Sequence, residues 1–290
     1  MARRRVALAT YAKAPGLATD DLAVVPALDA FGIDAEGAVW SDGLVNWGAF
    51  DAVVIRSCWD YHLRVDAFHE WIAKLEAAGV PMFNSPALVR WNSNKRYLLD
   101  LAQRGVATIP TMIVPLGDKA DVEHMAAAEG WDRFVIKPAI SASGYETYAV
   151  RAPLDAAARE CVASAISVGD ALLQPFVQEV PRDGEYSFTF IDGVFSHATL
   201  KRASGGEFRV QTEHGGSVES VGAPSALIDQ AGAVLAALPE TPLYARVDGV
   251  ARHDAFLLME LELIEPNLFF GFAPGSVDLF ARAIAGRLGR

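Results

Sequence analysis

Cysteine is scarce in this chain. Cys58 and Cys161 are the only two among 290 residues and fall in different elements, so neither a disulfide framework nor a metal-ligand spacing follows from them. Positive charge is scarce as well. The 25 basic residues face 36 acidic ones, and a formal net charge of −11 argues against a nucleic-acid partner, whose grip comes from neutralising phosphates. Long apolar runs are missing, so neither a transmembrane helix nor a membrane partner is expected. The basic start MARRR precedes only Val6–Ala9, an apolar run too short for a signal-peptide core, and it reads as a first strand of a cytoplasmic protein. Repeats and polar linkers are missing too, so the units of the chain are expected to pack around clefts. Finally, only six of the 25 basic residues are lysine, which makes each lysine informative.

What is present is alternation. Arg5–Ala9 reads as a strand, Thr19-Asp20 as the cap of a helix running to about Phe31, and Ala52–Ile55 as a strand buried on both faces. Phe68, Trp71, Ile72, Leu75 and Ala78 then form a helical stripe. Residues 87–102 read as one helix closed by Gly105. From about Thr108 to Val168 the order is strand, helix, strand, strand, helix. Hairpins follow at Asp192-Gly193 and around Arg252-His253-Asp254, and the last helix spans 277–288. The fold class is therefore mixed α/β (α+β), with a parallel α/β unit over 1–93, a small mixed unit over 94–172 and an antiparallel unit over 173–290.

Residues 134–147, FVIKPAISASGYET, place Lys137 at the end of a strand and a loop of small residues after it. A P-loop has its lysine after the glycines, at a helix start, so this is a different arrangement. The backbone N–H groups of such a loop can cover phosphate oxygens, Ser141, Ser143 and Gly144 among them, above a fixed ammonium. An ordinary surface turn is the alternative. In ALLQPFVQEVPRDGEYSF, Gln174, Phe176 and Val177 end an apolar strand where backbone groups can meet an adenine edge, and Glu185 opens the next strand, placed for ribose hydroxyls. In LLMELELIEPN, Glu260 and Glu262 share one face of a strand. Two carboxylates ~4 Å apart repel by about 4 kcal/mol at an effective dielectric near 20. Magnesium removes that penalty, and Asp248 can face the pair across the hairpin. A solvated strand face is the bland alternative.

In that order the motifs resemble the ATP-grasp superfamily, in particular its glutathione-synthetase and RimK-like branch. Lys95 in SNKRYLLDL resembles the first nucleotide lysine, Lys137 the second, Gln174–Val177 the adenine hinge, and GGEFRVQTEHGG the G-G-E-x-R stretch. Asp248, Glu260 and Glu262 match the metal positions, with Glu262 standing where asparagine is common. The resemblance implies an ATP-grasp fold: an N-terminal α/β unit, a lid subdomain and a catalytic antiparallel-sheet subdomain. It also implies an enzyme that uses ATP and Mg2+ to join a carboxylate and an amine through an acyl phosphate, releasing ADP and phosphate. Arg209 would stabilise that intermediate and Lys201 would contact the phosphates. Homodimers or tetramers are the assemblies such relatives form.

VIRSCWDYHLR lies beyond the carboxyl end of a parallel strand, where ligands bind. Arg56, Ser57, Trp59, Asp60 and Tyr61 are thus substrate candidates, with Arg56 facing a carboxylate and Asp60 an ammonium. A structural Arg-Asp pair is the alternative. Arg246 and Asn267 are further candidates, and His214 is a weaker one as a general base. With Asn84-Ser85-Pro86 and W-N-x-x-K, this stretch is also similar to the cyclo-ligases of D-cycloserine biosynthesis, which close a ring from O-ureido-D-serine. The readings that compete are such a cyclo-ligase, a peptide- or dipeptide-forming ligase on a small amino-acid-like substrate, and an inactive ATP-binding scaffold.

Overall fold

The computed structural model describes residues 2–117, 121–205, 208–210 and 215–289. Its first sheet is parallel, in the order β2-β1-β3-β4, with β1 Arg4–Thr10, β2 Ile33–Val39, β3 Ala52–Ser57 and β4 Met82–Phe83. Val6–Ala9 and Ala52–Ile55 are wholly buried because helices cover both faces. Helix α2 (Val65–Ala77) lays Phe68, Trp71, Ile72 and Leu75 against Ala7, Ala9, Val53 and Ile55. Helix α1 (Val24–Asp29) covers the other side and is two turns shorter than the sequence suggests. Pro26 lies inside the expected helix, where it has no N–H to give and its ring would strike the carbonyl one turn back.

The expected helix over 87–102 is also broken, into α3 (Pro86–Asn92) and α4 (Tyr97–Gln103). Tertiary hydrogen bonds replace helical ones at the break. Lys95 N donates to Ala139 O at 2.8 Å, and the Asn92 amide leaves the helix for the third sheet.

The second sheet has the order β5-β8-β6-β7, with β5 Met112–Val114, β6 Arg133–Pro138, β7 Tyr148–Arg151 and β8 Ala171–Pro175. Helices α5 (Val122–Ala128) and α6 (Ala156–Ser167) close one face around Phe134, Ile136, Val150 and Leu173. A short α7 (Glu179–Asp183) leads to the third sheet, antiparallel in the order β11-β10-β9-β12-β13. Its strands are β9 Glu185–Ile191, β10 Val194–Arg202, β11 Ser217–Ser220, β12 Tyr244–Arg252 and β13 Ala255–Glu262. Both expected hairpins are present. Asp192 and Gly193 take left-handed φ values of 49° and 78° in the first, as a tight hairpin turn requires.

One face of this sheet packs Phe188, Phe190, Ala198, Ala245, Val247 and Leu261 against α8 (Ser225–Ala236), α3 and α4. β13 is an edge strand whose outer backbone groups are met by the backbone of Ala107 and Ile109 at Leu258 and by side chains further along. Asn92 Nδ2 donates to Leu261 O at 2.8 Å and Asn92 Oδ1 accepts from Leu263 N at 2.9 Å. Leu261 N donates to the Tyr97 hydroxyl at 3.0 Å. Asn84 does the same further along, donating to Tyr244 O and Leu263 O and accepting from Leu243 N. The C-terminal helix α9 (Ser276–Leu288) returns to the first sheet, where Phe280 and Ile284 share a core with Val6, Leu8 and Val54.

Candidate active site

Three segments converge on one cleft: β6 with its following loop, the polar face of the third sheet, and the loop after β3. Strand alternation decides what β6 offers. Phe134 and Ile136 enter the core beneath α5 and α6, so Val135 and Lys137 point the other way, into the cleft. Lys137 makes no ion pair among the described residues. Burial pulls its ammonium below the ordinary lysine value, against the attraction of Glu260. Lys95, carried in the break between α3 and α4, donates to Ser141 O and pairs with Glu260 at 3.1 Å. The loop folds tightly, with Ser143 and Gly144 both at positive φ. The Ser141 hydroxyl is turned to Pro138 O at 3.2 Å, so its backbone rather than its side chain is presented to Lys95.

At the far end of β8, Gln174 donates to Thr111 Oγ1 at 2.9 Å, while Phe176 and Val177 line the cleft. The Arg133 guanidinium lies 3.4 Å over the Phe176 ring, and Phe208 closes on the same ring at 6.1 Å. Arg209 also faces the cleft. Gly206, Glu207 and 211–214, including His214, fall outside the described residues.

The polar face of the third sheet is a set of rows fixed by register. Thr199 pairs with Ser187, Ser187 with Asp248, and Asp248 with Glu260. In the next row Arg246 pairs with Thr189 and with Glu262. The charges interlock. Lys201 spans Glu185 at 2.5 Å and Asp248 at 2.7 Å, so it meets carboxylates rather than open space for a phosphate. Arg246 holds Asp248 at 3.0 Å and also pairs with Glu262. Burial pushes the Asp248 carboxyl up, but Arg246 and Lys201 outweigh it and hold it well below the usual carboxylate range. Burial likewise opposes Glu260, which Lys95 and Lys137 keep low. Glu262 goes the other way. Burial, with Asp248 and Glu260 adding to it, pushes it up to about 7 despite Arg246.

Among the described residues no group of three or more His, Cys, Asp or Glu side chains stands in a metal-binding arrangement. The donor set nevertheless fits a hard divalent cation. Asp248, Glu260 and Glu262 are adjacent carboxylates on one face, the all-oxygen donor set that such a cation takes.

The substrate candidates divide. Trp59, Tyr61, Arg246 and Asn267 line the cleft. Arg56, Ser57 and Asp60 do not, which corrects the sequence expectation for those three. Arg56 is fully buried, bonded to Asp21 at 2.8 Å and to Pro266 O at 3.0 Å, with its guanidinium over Tyr244. Ser57 donates to the other Asp21 oxygen at 2.5 Å. Asp60 accepts from Trp40 Nε1 at 2.7 Å and pairs with Arg64. The structural Arg-Asp pair is the arrangement found, but with Asp21 as the partner. Sequence reasoning missed Glu265, Phe269, Asn92 and Tyr97 at the cleft. Glu265 follows the end of β13, beyond the reach of strand periodicity, and its neighbourhood to E-L-E was the only signal. Burial, with Glu262 close by, pushes its carboxyl up to about 8.

Comparison with known proteins accounts for this arrangement. A family model described as the N-terminal domain of D-cycloserine synthetase DcsG matches residues 6–84. The cycloserine biosynthesis protein DcsG of Streptomyces lavendulae is 36% identical over 274 residues, spanning 89% of this chain and 90% of that protein. The crystal structure of D-cycloserine synthetase DcsG superposes with a TM-score of 0.88 at 34% identity, covering 98% of this chain and 99% of that one. The fold alone is shared with Bacillus anthracis D-alanine–D-alanine ligase complexed with ATP, at a TM-score of 0.69, 13% identity and coverage of 99% and 98%. It is also shared with the ATP-grasp ligase PsnB complexed with a precursor variant, Mg and ADP, at 0.62, 16% identity and 99% coverage of both chains. Fold and cleft together define an ATP-grasp ligase. Within that class the chain belongs to the DcsG family. No described helix is long and apolar enough to cross a membrane.

Proposed function

We propose that this ligase uses ATP and Mg2+ to close a C–N bond within one small amino-acid-like substrate, in the manner the name D-cycloserine synthetase gives its relative. The observation that carries the reading is the pairing pattern of the cleft. Lys201, Lys95 and Arg246 are already matched to carboxylates, whereas Lys137 stands half-buried at the end of a rigid strand beside the small-residue loop with no carboxylate in contact. A partly desolvated, unmatched cation facing a cleft calls for an anion. A triphosphate supplies one.

Phosphoryl transfer asks the protein for position and charge more than for covalent help. Lys137, Lys95 and the loop of Ser141, Ser143 and Gly144 hold the phosphates, while Gln174, Phe176 and Val177 seat the base and Glu185 the ribose. Asp248, Glu260 and Glu262 would hold magnesium, which supplies positive charge against the phosphate oxygens. The substrate's carboxylate oxygen attacks the γ-phosphorus, and the bond to ADP breaks. The substrate's own nitrogen then adds to the acyl carbon, and inorganic phosphate leaves. Arg209 faces the cleft where that charge collects, and Lys201 orders Glu185 and Asp248. Closure of the loop over the cleft keeps water from the acyl phosphate. Trapping tests the reading. With Mg·ATP, O-ureido-D-serine and hydroxylamine, a hydroxamate is expected from the wild-type protein and not from Lys137→Met. Hydroxamate formation by both, or by neither, would contradict it.

A further inference from the structure

Among the carboxyl groups of the cleft, ion pairing is complete but for one. Glu185 meets Lys201, Asp248 meets Lys201 and Arg246, Glu260 meets Lys95, and Glu262 meets Arg246. Among the described residues, Glu265 alone of the carboxyl groups lining the cleft has no basic partner. It is fixed in place by its backbone, because Trp59 Nε1 donates to Glu265 O at 3.0 Å. The segment is held from below as well, with Arg56 donating to Pro266 O and Arg246 to Asn267 O. Trp59, Tyr61 and Phe269 line the same cleft, and Tyr61 is close enough for the Glu265 charge to act on its phenol. Aromatic faces favour a cation and contribute no competing donor beyond the indole N–H and the phenol. Phe176 and Val177, which would seat the base, follow β8 of the second sheet, whereas Glu265 follows β13 of the third and Trp59 follows β3 of the first.

We propose that Glu265 is a substrate-binding residue whose carboxylate receives a primary ammonium group of the substrate, between Trp59 and Tyr61. This assignment rests on the ligase reading above and adds the charge its substrate must carry. An unmatched cation at β6 takes the anionic cosubstrate, and an unmatched carboxyl after β13 takes a cationic one. The substrate class is thus a small amino acid with a free amine, and an N-acylated analogue is excluded.

The test compares wild-type protein with Glu265→Gln, which keeps the shape and removes the group that ionises against the ammonium. The probes are O-ureido-D-serine, D-serine and their N-acetyl derivatives, with Mg·ATP. The readouts are phosphate release, calorimetric binding of each amino acid, and calorimetric binding of Mg·ATP alone. A lost charged hydrogen bond predicts a KM raised about 10- to 100-fold for the free amine, with kcat changed less. Mg·ATP affinity is expected to stay unchanged, which separates loss of a contact from loss of the fold. Wild-type protein should reject the N-acetyl compounds, and Glu265→Gln should cease to discriminate. Equal KM values in the two proteins, or equal wild-type binding of acetylated and free amines, would overturn the assignment alone. If the wild-type protein neither bound nor turned over any of the amino acids, the ligase reading would fail and this assignment with it.

Discussion

Glu262 and Glu265 give the residue scale its sharpest consequence. Their carboxyls stand at about 7 and about 8 against an ordinary value of 4.5. Folding therefore raises both, and between pH 4.5 and 8 the folded chain keeps protons that the unfolded chain has released. Stability from these groups is fully present below 4.5 and is lost as pH rises through their folded values. Asp248 and Glu260, held low by their cations, work in the opposite direction and only at acid pH. His62, His69 and His197, lowered by burial from 6.5, oppose this trend up to that pH, so the melting temperature of the ligand-free protein is expected to decline from pH 6.5 to 8.5. Glu265→Gln has no proton to lose and should flatten the decline. Thermal scans across that range check both statements, and a variant with the wild-type slope would contradict them. The residue scale also shows what a sequence displays and what it hides. Lys137, Asp248, Glu260 and Glu262 were legible because strand alternation and a hairpin register decide where they point. Arg56 and Asp60 were misread because their partners, Asp21 and Trp40, come from elsewhere in the chain and only folding brings them near.

Among the elements, the edge of β13 matters most, since it carries two of the three candidate magnesium carboxylates. Beyond Leu258 its outer backbone groups are satisfied by Asn92, Tyr97 and Asn84. Replacing Asn92 with alanine would orphan a buried N–H and a buried C=O, at about 1–3 kcal/mol each. Asn92→Ala is thus expected to lower unfolding stability by roughly 2–6 kcal/mol in urea titrations. It should also weaken magnesium-dependent ATP binding more than ATP binding without the metal, because Glu260 and Glu262 lie on the loosened strand. A loss below 1 kcal/mol would mean that solvent reaches this edge. The hairpins were readable from their turn residues. The break between α3 and α4 was not, because the bonds that replace the helical ones run to Ala139 and Leu261, far along the chain.

On the scale of the whole molecule, the first and third sheets are joined by a common core. Val6, Leu8 and Val54 pack with Ile191, Tyr244, Leu268 and Phe280. The second sheet has a core of its own on the face beneath α5 and α6, from Val114 to Leu173, and only Ile113, Ala139 and Leu172 join the core of the third. Hydrogen exchange is therefore expected to open β6, β7 and the loop between them before β9 and β12, and Mg·ATP should protect that loop. Simultaneous exchange in all three sheets would argue against a separately hinged lid. The alternation of strand and helix signals announced the layers. The return of α9 to the first sheet was not announced, since an amphipathic stripe does not name the surface it covers.

Phosphate release from Mg·ATP, measured with O-ureido-D-serine alone and then with a second amino acid added, bears most directly on the enzyme's role. Release with the single compound, undiminished by omitting any amine acceptor and absent in Lys137→Met, is the predicted result. A strict need for two compounds would make the enzyme a joining ligase. Tight ATP binding without release under any combination would contradict the ligase reading altogether.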